Sequence, residues 1–413
     1  MKMLHSILSA ALLGLALPAG AAHLVSDAHD RTGLSLTLYG DDLALVSDRR
    51  RLLLGPATPL VELRAVSKQL RPETLFVEQL AGPPLAIPAH RVGDPEAKDK
   101  TEGGCRGLCL EVQAPTPGER VLELNYLTGG LSWHADYVGR LAADGRTLTL
   151  VARATLSNQS GSDYRQARVG LLAGKVHHEE EEYRAYSHRM VLADTAAPAP
   201  SRQAIGDHHL YQLADTVDLP DGQVRHLQLF TADQVPVRHQ YRVDGEEAYY
   251  RRGFGREPQR LKVTSWLLTT NQAENHLGQP LPAGIVRFYA PDDQGRLRYL
   301  GADRLPPTPV GEKIRLQLGE AFDLTAHRVQ TGFAKLPAPP PYRNLFESSH
   351  RLELKNGGQE PKEVVIREPI PGDWKITQAS HPHQRPDARH AEWRVQVPAG
   401  GTLVLTWTAR TGF

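Results

Sequence analysis

A strand, an asparagine, a polar turn and a second strand recur three times in this sequence. The three strands end at Asn158, Asn271 and Asn356, and each asparagine is followed by Gly-, Ser- or Gln-containing residues and then by another apolar stretch. A strand that stops at a polar turn and resumes beyond it is typical of β-hairpins in all-β folds. The recurrence therefore predicts the hairpins of a stacked β-sandwich.

Alternating side chains in residues 147–157 support the same fold class. Every second position from 148 to 156 is apolar, and the positions between them are polar apart from Val151. A period of two residues indicates a strand with one buried face in an antiparallel sheet. The same period appears at 169–173 and 403–409, and glycine-containing turns such as Asp144-Gly145 join neighbouring strands. We therefore predict an all-β fold of tandem antiparallel β-sandwich (immunoglobulin-like) domains.

The length of 413 residues is too great for a single core, so the chain is expected to form several domains. A proline-rich segment at 336–342 is predicted to be a stiff, extended spacer. Such a spacer would divide the last domain into two β-sandwiches. The predicted order is a signal peptide at 1–22, an N-terminal β domain at 23–115, a central β-sandwich at 118–243 with a mobile insertion at 177–207, and a C-terminal β-sandwich region at 256–413.

The first 22 residues have the composition of a secretory signal peptide. Lys2 is followed by an apolar run from 7 to 17 and by Ala19-Gly20-Ala21, whose small residues suit cleavage. The run is too short to cross a bilayer, and no later stretch approaches the ~20 apolar residues that a span requires. The sequence therefore predicts a secreted chain, periplasmic or extracellular, with no integral membrane span.

The two cysteines, Cys105 and Cys109, are predicted to form a local disulfide in such an oxidising compartment. A redox pair and half of a metal site are the alternatives. Their spacing is not Cys-x-x-Cys, and the sequence has no second cysteine pair that would complete a zinc site. The disulfide is therefore preferred.

Two blocks near the middle of the chain, 125–137 and 155–164 leading into 169–174, resemble the domain-of-unknown-function family numbered 4139, which includes the mucoidy inhibitor A-like proteins. The segments 369–376 and 397–401 fit the same family. The resemblance implies an exported, mostly β protein with no established catalytic set. Longer members carry an additional N-terminal region with coiled-coil character, and no heptad run appears in this sequence.

The block at 125–137 also contains the strongest candidate binding residues. If it is a strand, Trp133 and Tyr137 point to one face, where they form either an exposed platform for a sugar or peptide or part of a sandwich core. The core is the preferred alternative, because buried tryptophans are common in sandwiches. His134 and Asp136 share the opposite face, as an acid–base pair or as a solvated pair.

Histidine-rich segments raise the question of a metal site. His177-His178, the acidic run at 179–182 and His208-His209 contain suitable ligands, but no His-Glu-x-x-His spacing is present. A solvated loop is the preferred interpretation, and we predict no metal and no cofactor. The sequence also lacks a Gly-x-Ser-x-Gly elbow, a phosphate-binding loop and a dinucleotide fingerprint.

The sequence favours an exported, non-catalytic β-sandwich protein that binds or scaffolds a cell-envelope polymer or another protein. The alternatives are a hydrolase acting on envelope glycans or peptides, and a structural spacer. The chain has 48 Lys and Arg against 47 Asp and Glu, and this balance argues against nucleic acid as a partner. The oligomeric state is left open.

Overall fold

The computed structural model describes residues 23–40, 42–93, 105–174, 202–205 and 208–413. The predicted signal peptide at 1–22, most of the predicted mobile insertion at 177–207 and the histidines at 177–178 lie outside these residues. Within them, no helix is both long and apolar enough to span a lipid bilayer.

The described chain forms 28 strands and four short 3₁₀ helices, which confirms the predicted all-β fold class. The helices are Ala28–Asp30, Pro72–Thr74, Glu247–Tyr250 and Ala273–Asn275. The strands are β1 (His23–Ser26), β2 (Arg31–Leu38), β3 (Ala44–Leu54), β4 (Leu60–Leu63), β5 (Phe76–Ala81), β6 (Ala86–Val92), β7 (Leu108–Gln113), β8 (Gly118–Thr128), β9 (Leu131–Leu141), β10 (Thr147–Asn158), β11 (Tyr164–Ala173), β12 (Arg202–Ile205), β13 (His208–Gln212), β14 (Val217–Leu219), β15 (Val224–Pro236), β16 (Arg238–Asp244), β17 (Gln259–Leu261), β18 (Val263–Thr270), β19 (Gly284–Pro291), β20 (Leu297–Leu305), β21 (Lys313–Glu320), β22 (Leu324–Leu336), β23 (Leu345–Asn356), β24 (Lys362–Pro369), β25 (Asp373–Ala379), β26 (Gln384–Asp387), β27 (His390–Val397) and β28 (Thr402–Gly412).

These strands assemble into five sheets. Two have the strand orders β1-β4-β7-β6 and β12-β13-β11-β2-β3-β8-β5, and β14 pairs with β11 at the side of the second. The other three have the orders β15-β10-β9-β19-β20, β21-β18-β16-β24-β27-β26 and β17-β22-β23-β28-β25. The predicted strand at 147–157 is confirmed as β10, whose residues 148, 150, 152, 154 and 156 are buried.

The chain divides into two compact units. The first unit consists of Met1–Trp133 and Leu156–Arg225, and the second consists of His134–Thr155 and His226–Phe413. The first unit places β2 and β3, from the predicted N-terminal domain, in one sheet with β8 and β11. The core of the second unit is formed largely by apolar side chains of the last two sheets, and it includes Trp393 and Trp407.

Four of the five sheets are mixed, because each contains one pair of parallel strands, whereas β17-β22-β23-β28-β25 is antiparallel throughout. Four such pairs occur among the described strands: β1 with β4, β2 with β11, β9 with β19, and β16 with β24. The proline-rich segment at 336–342 connects β22 to β23, which pair antiparallel in one sheet. It therefore lies between two neighbouring strands.

The three recurring asparagines are buried at strand ends, where their side chains bond both to a turn and to the end of a second strand. The Nδ2 group of Asn158 donates to the carbonyl oxygens of Ser162 and Leu219, and its Oδ1 accepts from the N–H of Ser160. The other two asparagines make the same kind of contact, with a following turn and with the end of a second strand. Their partners are Gln279, Thr308, Pro309 and Gly278 for Asn271, and Glu360, Val397, Pro398 and Gly358 for Asn356.

Each asparagine faces a Pro-x-Gly turn, at 220–222, 309–311 and 398–400. The main-chain N–H of the asparagine donates to the carbonyl of the residue after the glycine, which is Gln223, Glu312 or Gly401. The glycines have φ values of 71°, 88° and 61°, a region that glycine tolerates best. The strand that ends in asparagine thus pairs with the strand that follows the turn, as β10 with β15, β18 with β21 and β23 with β28. The arrangement therefore recurs in the structure, but the predicted hairpins are wrong. The strands before and after each asparagine lie in different sheets, as β10 and β11, β18 and β19, and β23 and β24 do.

Replacing one of these asparagines should destabilise the fold strongly. Asn271→Ala removes four hydrogen bonds of a fully buried side-chain amide, so we expect a loss of about 2–3 kcal/mol in the free energy of unfolding. Asn275→Ala is the matched control, because that amide makes one bond, to Thr270. Urea denaturation followed by tryptophan fluorescence measures both losses. Equal losses for the two variants would contradict the stabilising role of the Asn271 hydrogen bonds.

Candidate functional site

The block at 125–137 forms the end of β8, a tight turn and the start of β9. Gly130 has a φ of 74°, and a Cβ atom there would lie 2.6 Å from the Cα of Ser160. The strand that follows alternates between buried and exposed positions. The two rings that the sequence singled out, Trp133 and Tyr137, occupy buried positions. Trp133 Nε1 donates to the carbonyl of Leu172 at 3.1 Å, and Tyr137 Oη donates to the carbonyl of Pro282 at 2.7 Å.

His134 and Asp136 lie on the opposite, exposed face of β9. The Nε2 atom of His134 is 3.1 Å from Oδ2 of Asp136. Arg287 on β19 donates from Nη1 to Oδ1 of Asp136 at 2.7 Å, and Thr155 on β10 donates to Oδ2 at 2.8 Å. The hydroxyl of Thr155 is also 2.9 Å from Nδ1 of His226 on β15. We call these five residues, contributed by four adjacent strands, the Asp136 cluster.

The electrostatics of the Asp136 cluster favour a permanently ionised carboxylate. Burial raises the pKa of Asp136, but the hydrogen bonds from Arg287 and Thr155 and the nearby His134 outweigh it, so the pKa lies below its usual value. The same hydrogen bond raises the pKa of Arg287. A general acid or base works best with a pKa near the working pH, and Asp136 is shifted away from it. The cluster is therefore suited to binding and orientation rather than to proton transfer.

Two tyrosines extend this exposed face across β19 and β20. Tyr289 shares the parity of Arg287, and its ring centroid is 5.6 Å from that of Tyr299. Tyr299 is 59% exposed, and Leu297, two residues before it, is 53% exposed. Rigid rings with an apolar body and a polar tip give large contact areas at a low cost in entropy.

A shallow cavity of about 230 Å³ lies near Leu297 on the same sheet. Its lining includes Arg140 and Gln234 together with the hydroxyl-bearing Thr147 and Thr149. Among the described residues, neither Arg140 nor the exposed Arg153 on β10 has an ion-pair partner. We call this exposed side of the sheet β15-β10-β9-β19-β20 the outer face, comprising the Asp136 cluster, the two tyrosines, the cavity and Arg153.

A second group of polar side chains is buried between β22, β23, β24 and β28. Arg328 Nη1 donates to both carboxylate oxygens of Glu368 at 2.8 Å, and both side chains are at most 1% exposed. Tyr250 donates to Glu368 at 2.7 Å and accepts from Nε1 of Trp407 at 3.1 Å. We call this group, with the residues described next, the Arg328 network.

The Arg328 network also brings Ser348 and His350 together, at 2.8 Å between Oγ and Nε2. Arg328 Nη2 can only donate, so Nδ1 of His350 accepts, at 3.1 Å, and the proton of the neutral ring lies on Nε2. The hydroxyl of Ser348 donates in turn to the carbonyl of Tyr249 and accepts from Gln330. This direction of hydrogen bonding prevents His350 from acting as a base toward Ser348. Burial and the Arg328 charge lower the pKa of His350 to about 2.

Other predicted features lie apart from both groups. Cys105 and Cys109 form a disulfide. The described residues hold no cluster of three or more His, Cys, Asp or Glu side chains arranged for a metal ion.

The sequence singled out His134 and Asp136 but missed their partners Arg287 and Thr155 and the tyrosine pair. One signal was available, since Arg287 and Tyr289 alternate with the apolar Val286 and Phe288. That alternation identifies an exposed strand face but does not show which strand lies beside it.

Comparison with known families gives one match. A family model described as "Domain of unknown function (DUF4139)" matches residues 122–411, a range that contains the whole outer face and the Arg328 network. No curated protein matches the chain.

Proposed function

Because this chain belongs to the DUF4139 family, whose description carries no activity, we propose its function from the outer face: an exported, non-catalytic protein that binds an acidic polymer of the cell envelope. The observation that carries this proposal is the exposure of Tyr299 and Leu297 on the same sheet face as Arg140 and Arg153. A flat face with aromatic rings and uncompensated guanidinium groups suits an extended anionic chain.

Charge and geometry support a polymer rather than a small substrate. The outer face is open, and its cavity of about 230 Å³ is shallow, so a ligand would lie along the sheet. Arginine binds carboxylate and phosphate groups with a planar fork of donors, and a repeating acidic chain offers such groups at intervals. The Asp136 cluster fixes Arg287, whereas Arg140 and Arg153 have no ion-pair partner among the described residues and are available for contact.

The alternative hydrolase activity has weaker support from the same face. Glycoside cleavage generally requires two carboxyl groups, one of them with a raised pKa. The Asp136 cluster contains one carboxylate, and its pKa is lowered by Arg287 and Thr155 despite burial. A binding role requires neither a second carboxylate nor a proton donor.

Binding should depend on the outer face. We expect Arg140→Gln and Tyr299→Ala each to weaken binding of polygalacturonate about tenfold, as removal of an interface hot spot does. Isothermal titration calorimetry on the chain lacking residues 1–22 measures the affinity. Arg260→Gln and Phe322→Ala are matched controls, since both residues are exposed and neither lies on the outer face.

Two results would contradict this function. The acidic-polymer proposal fails if wild type binds polygalacturonate no better than neutral dextran, or if the controls lose as much affinity as the outer-face variants. The non-catalytic part fails if size-exclusion chromatography shows that incubation with the protein shortens the polymer.

A further inference from the structure

A polar groove of about 350 Å³ lies in the second unit, on the sheet β17-β22-β23-β28-β25. It is separate from the outer face, which belongs to another sheet. Pockets for small ligands commonly start at about 300 Å³, so the groove has the volume of a binding site. We call it the hydroxyl groove, after its lining by Thr331, Ser349, Gln378, Ser380, Thr406 and Thr408.

Strand register explains why polar residues converge there. Ser349 on β23 lies directly opposite Thr408 on β28, which in turn lies opposite Gln378 on β25. The neighbouring row pairs Arg351 with Thr406. Side chains of directly opposed residues share a face, so the two rows form a continuous polar floor.

The floor has unused hydrogen-bonding capacity. Ser349 and Thr408 bond each other at 2.9 Å, and Ser380 accepts from the N–H of Thr406 at 2.9 Å. Among the described residues, the side chains of Thr406, Thr331 and Gln378 have no hydrogen-bond partner. Hydroxyl groups donate and accept, and an amide offers both functions on one plane. These groups match the hydroxyls of a sugar ring, which also donate and accept.

Charge distinguishes this groove from the outer face. The one cation in its lining, Arg351, is paired with Glu353 at 3.0 Å, so the lining offers no uncompensated charge. The lining contains no carboxylate that would favour a metal ion, and its hydroxyls are poorly suited to an apolar ligand. The chemistry therefore selects a neutral, polyhydroxylated ligand.

The Arg328 network holds the groove residues in place from the other side of the sheet. His350 alternates with Ser349 and Arg351 along β23, and Trp407 alternates with Thr406 and Thr408 along β28. His350 and Trp407 are at most 2% exposed and are fixed by hydrogen bonds of the network. A rigid floor loses little conformational entropy when a ligand binds.

We propose that the hydroxyl groove is a binding site for a neutral sugar unit, distinct from the acidic-polymer site of the outer face. Thr406 and Gln378 supply the free hydrogen-bonding groups, and the Ser349–Thr408 pair forms the base of the site. Recognition rests on hydrogen bonds, because the two ring side chains in the lining, His350 and Trp407, are both buried.

The test is saturation-transfer NMR with glucose, N-acetylglucosamine and their β-1,4-linked hexamers, with glycerol as a simple polyol. We expect transfer to at least one of the sugars and no competition from glycerol at equal hydroxyl concentration. Thr406→Val, which keeps the shape and removes the hydroxyl, should weaken sugar binding about fivefold, the effect of one lost hydrogen bond. Thr402→Val is the matched control on the same strand, and it should bind as wild type does.

The outcomes separate the two proposed sites. Tyr299→Ala should leave sugar binding unchanged, and Thr406→Val should leave polygalacturonate binding unchanged, which also shows that this variant is folded. The groove proposal is overturned if no sugar gives transfer, if glycerol competes as well as the sugars do, which would indicate an adventitious additive only, or if Thr402→Val loses as much affinity as Thr406→Val.

Discussion

Replacing Arg328 by methionine will lower the free energy of unfolding of the second unit by about 3–5 kcal/mol, because it leaves a buried carboxylate uncompensated. The change removes the cation that contacts both oxygens of Glu368 at 2.8 Å and that faces the ring of Tyr249 at 3.8 Å. Urea denaturation followed by tryptophan fluorescence measures the loss, since Trp393 and Trp407 lie in the core of this unit.

A second substitution tests the cause. Arg328→Met combined with Glu368→Gln removes the stranded charge but keeps an oxygen that accepts from Tyr250, so the double variant should recover about 2 kcal/mol. Arg410→Met, which breaks a pair with Glu347 at 2.8 Å that is partly exposed on both sides, should cost less than about 1 kcal/mol. A double variant no more stable than Arg328→Met would show that lost packing, rather than unpaired charge, causes the damage.

Arg120→Lys should be nearly as damaging in the first unit, although it preserves the charge. Arg120 is fully buried, and its partners are main-chain carbonyls rather than carboxylates. Its five N–H groups donate to five of them, on Leu54, Pro83, Pro84, Thr116 and Gly118. Lysine has three donors and no planar fork, so at least two of these carbonyls would lose their hydrogen bond to the side chain.

We expect Arg120→Lys to cost about 3 kcal/mol, the effect of losing two hydrogen bonds made by a charged group. Arg51→Lys on the neighbouring strand β3 is the control, because Arg51 is more than half exposed and pairs with Glu119 at 3.4 Å. Differential scanning calorimetry compares the two variants. If both melt at the same temperature, the carbonyl contacts of Arg120 contribute nothing that an ammonium group cannot replace.

Alternation within single strands was readable from the sequence. The period of two in residues 147–157 predicted β10, and the recurring asparagines lie where strands end, although they do not lie in the predicted hairpins. The resemblance to the family numbered 4139 is confirmed by the matching family model. These signals are local, because they depend on neighbours a few residues away.

Partners distant in the sequence were not predictable in the same way. Arg287 reaches Asp136 because β19 pairs in parallel with β9. Neither strand has a sequence feature that identifies the other as its neighbour. Buried arginines are also missed when apolar residues alone are used to identify the buried face of a strand. Arg328 faces the core while the adjacent Val329 is half-buried, since the carboxylate that compensates Arg328 comes from β24. For the same reason the Arg328 network was missed.

The parallel pairing of β2 with β11 has a consequence for how the protein is made. Ser35 to Leu38 align with Arg168 to Leu171, so the strand that leaves the ribosome early has an edge that only a much later strand can cover. Until then the nascent chain exposes an unpaired edge, which can template aggregation. Fragments that end before β11 should therefore precipitate or recruit chaperones, whereas the complete polypeptide should acquire its structure late and cooperatively.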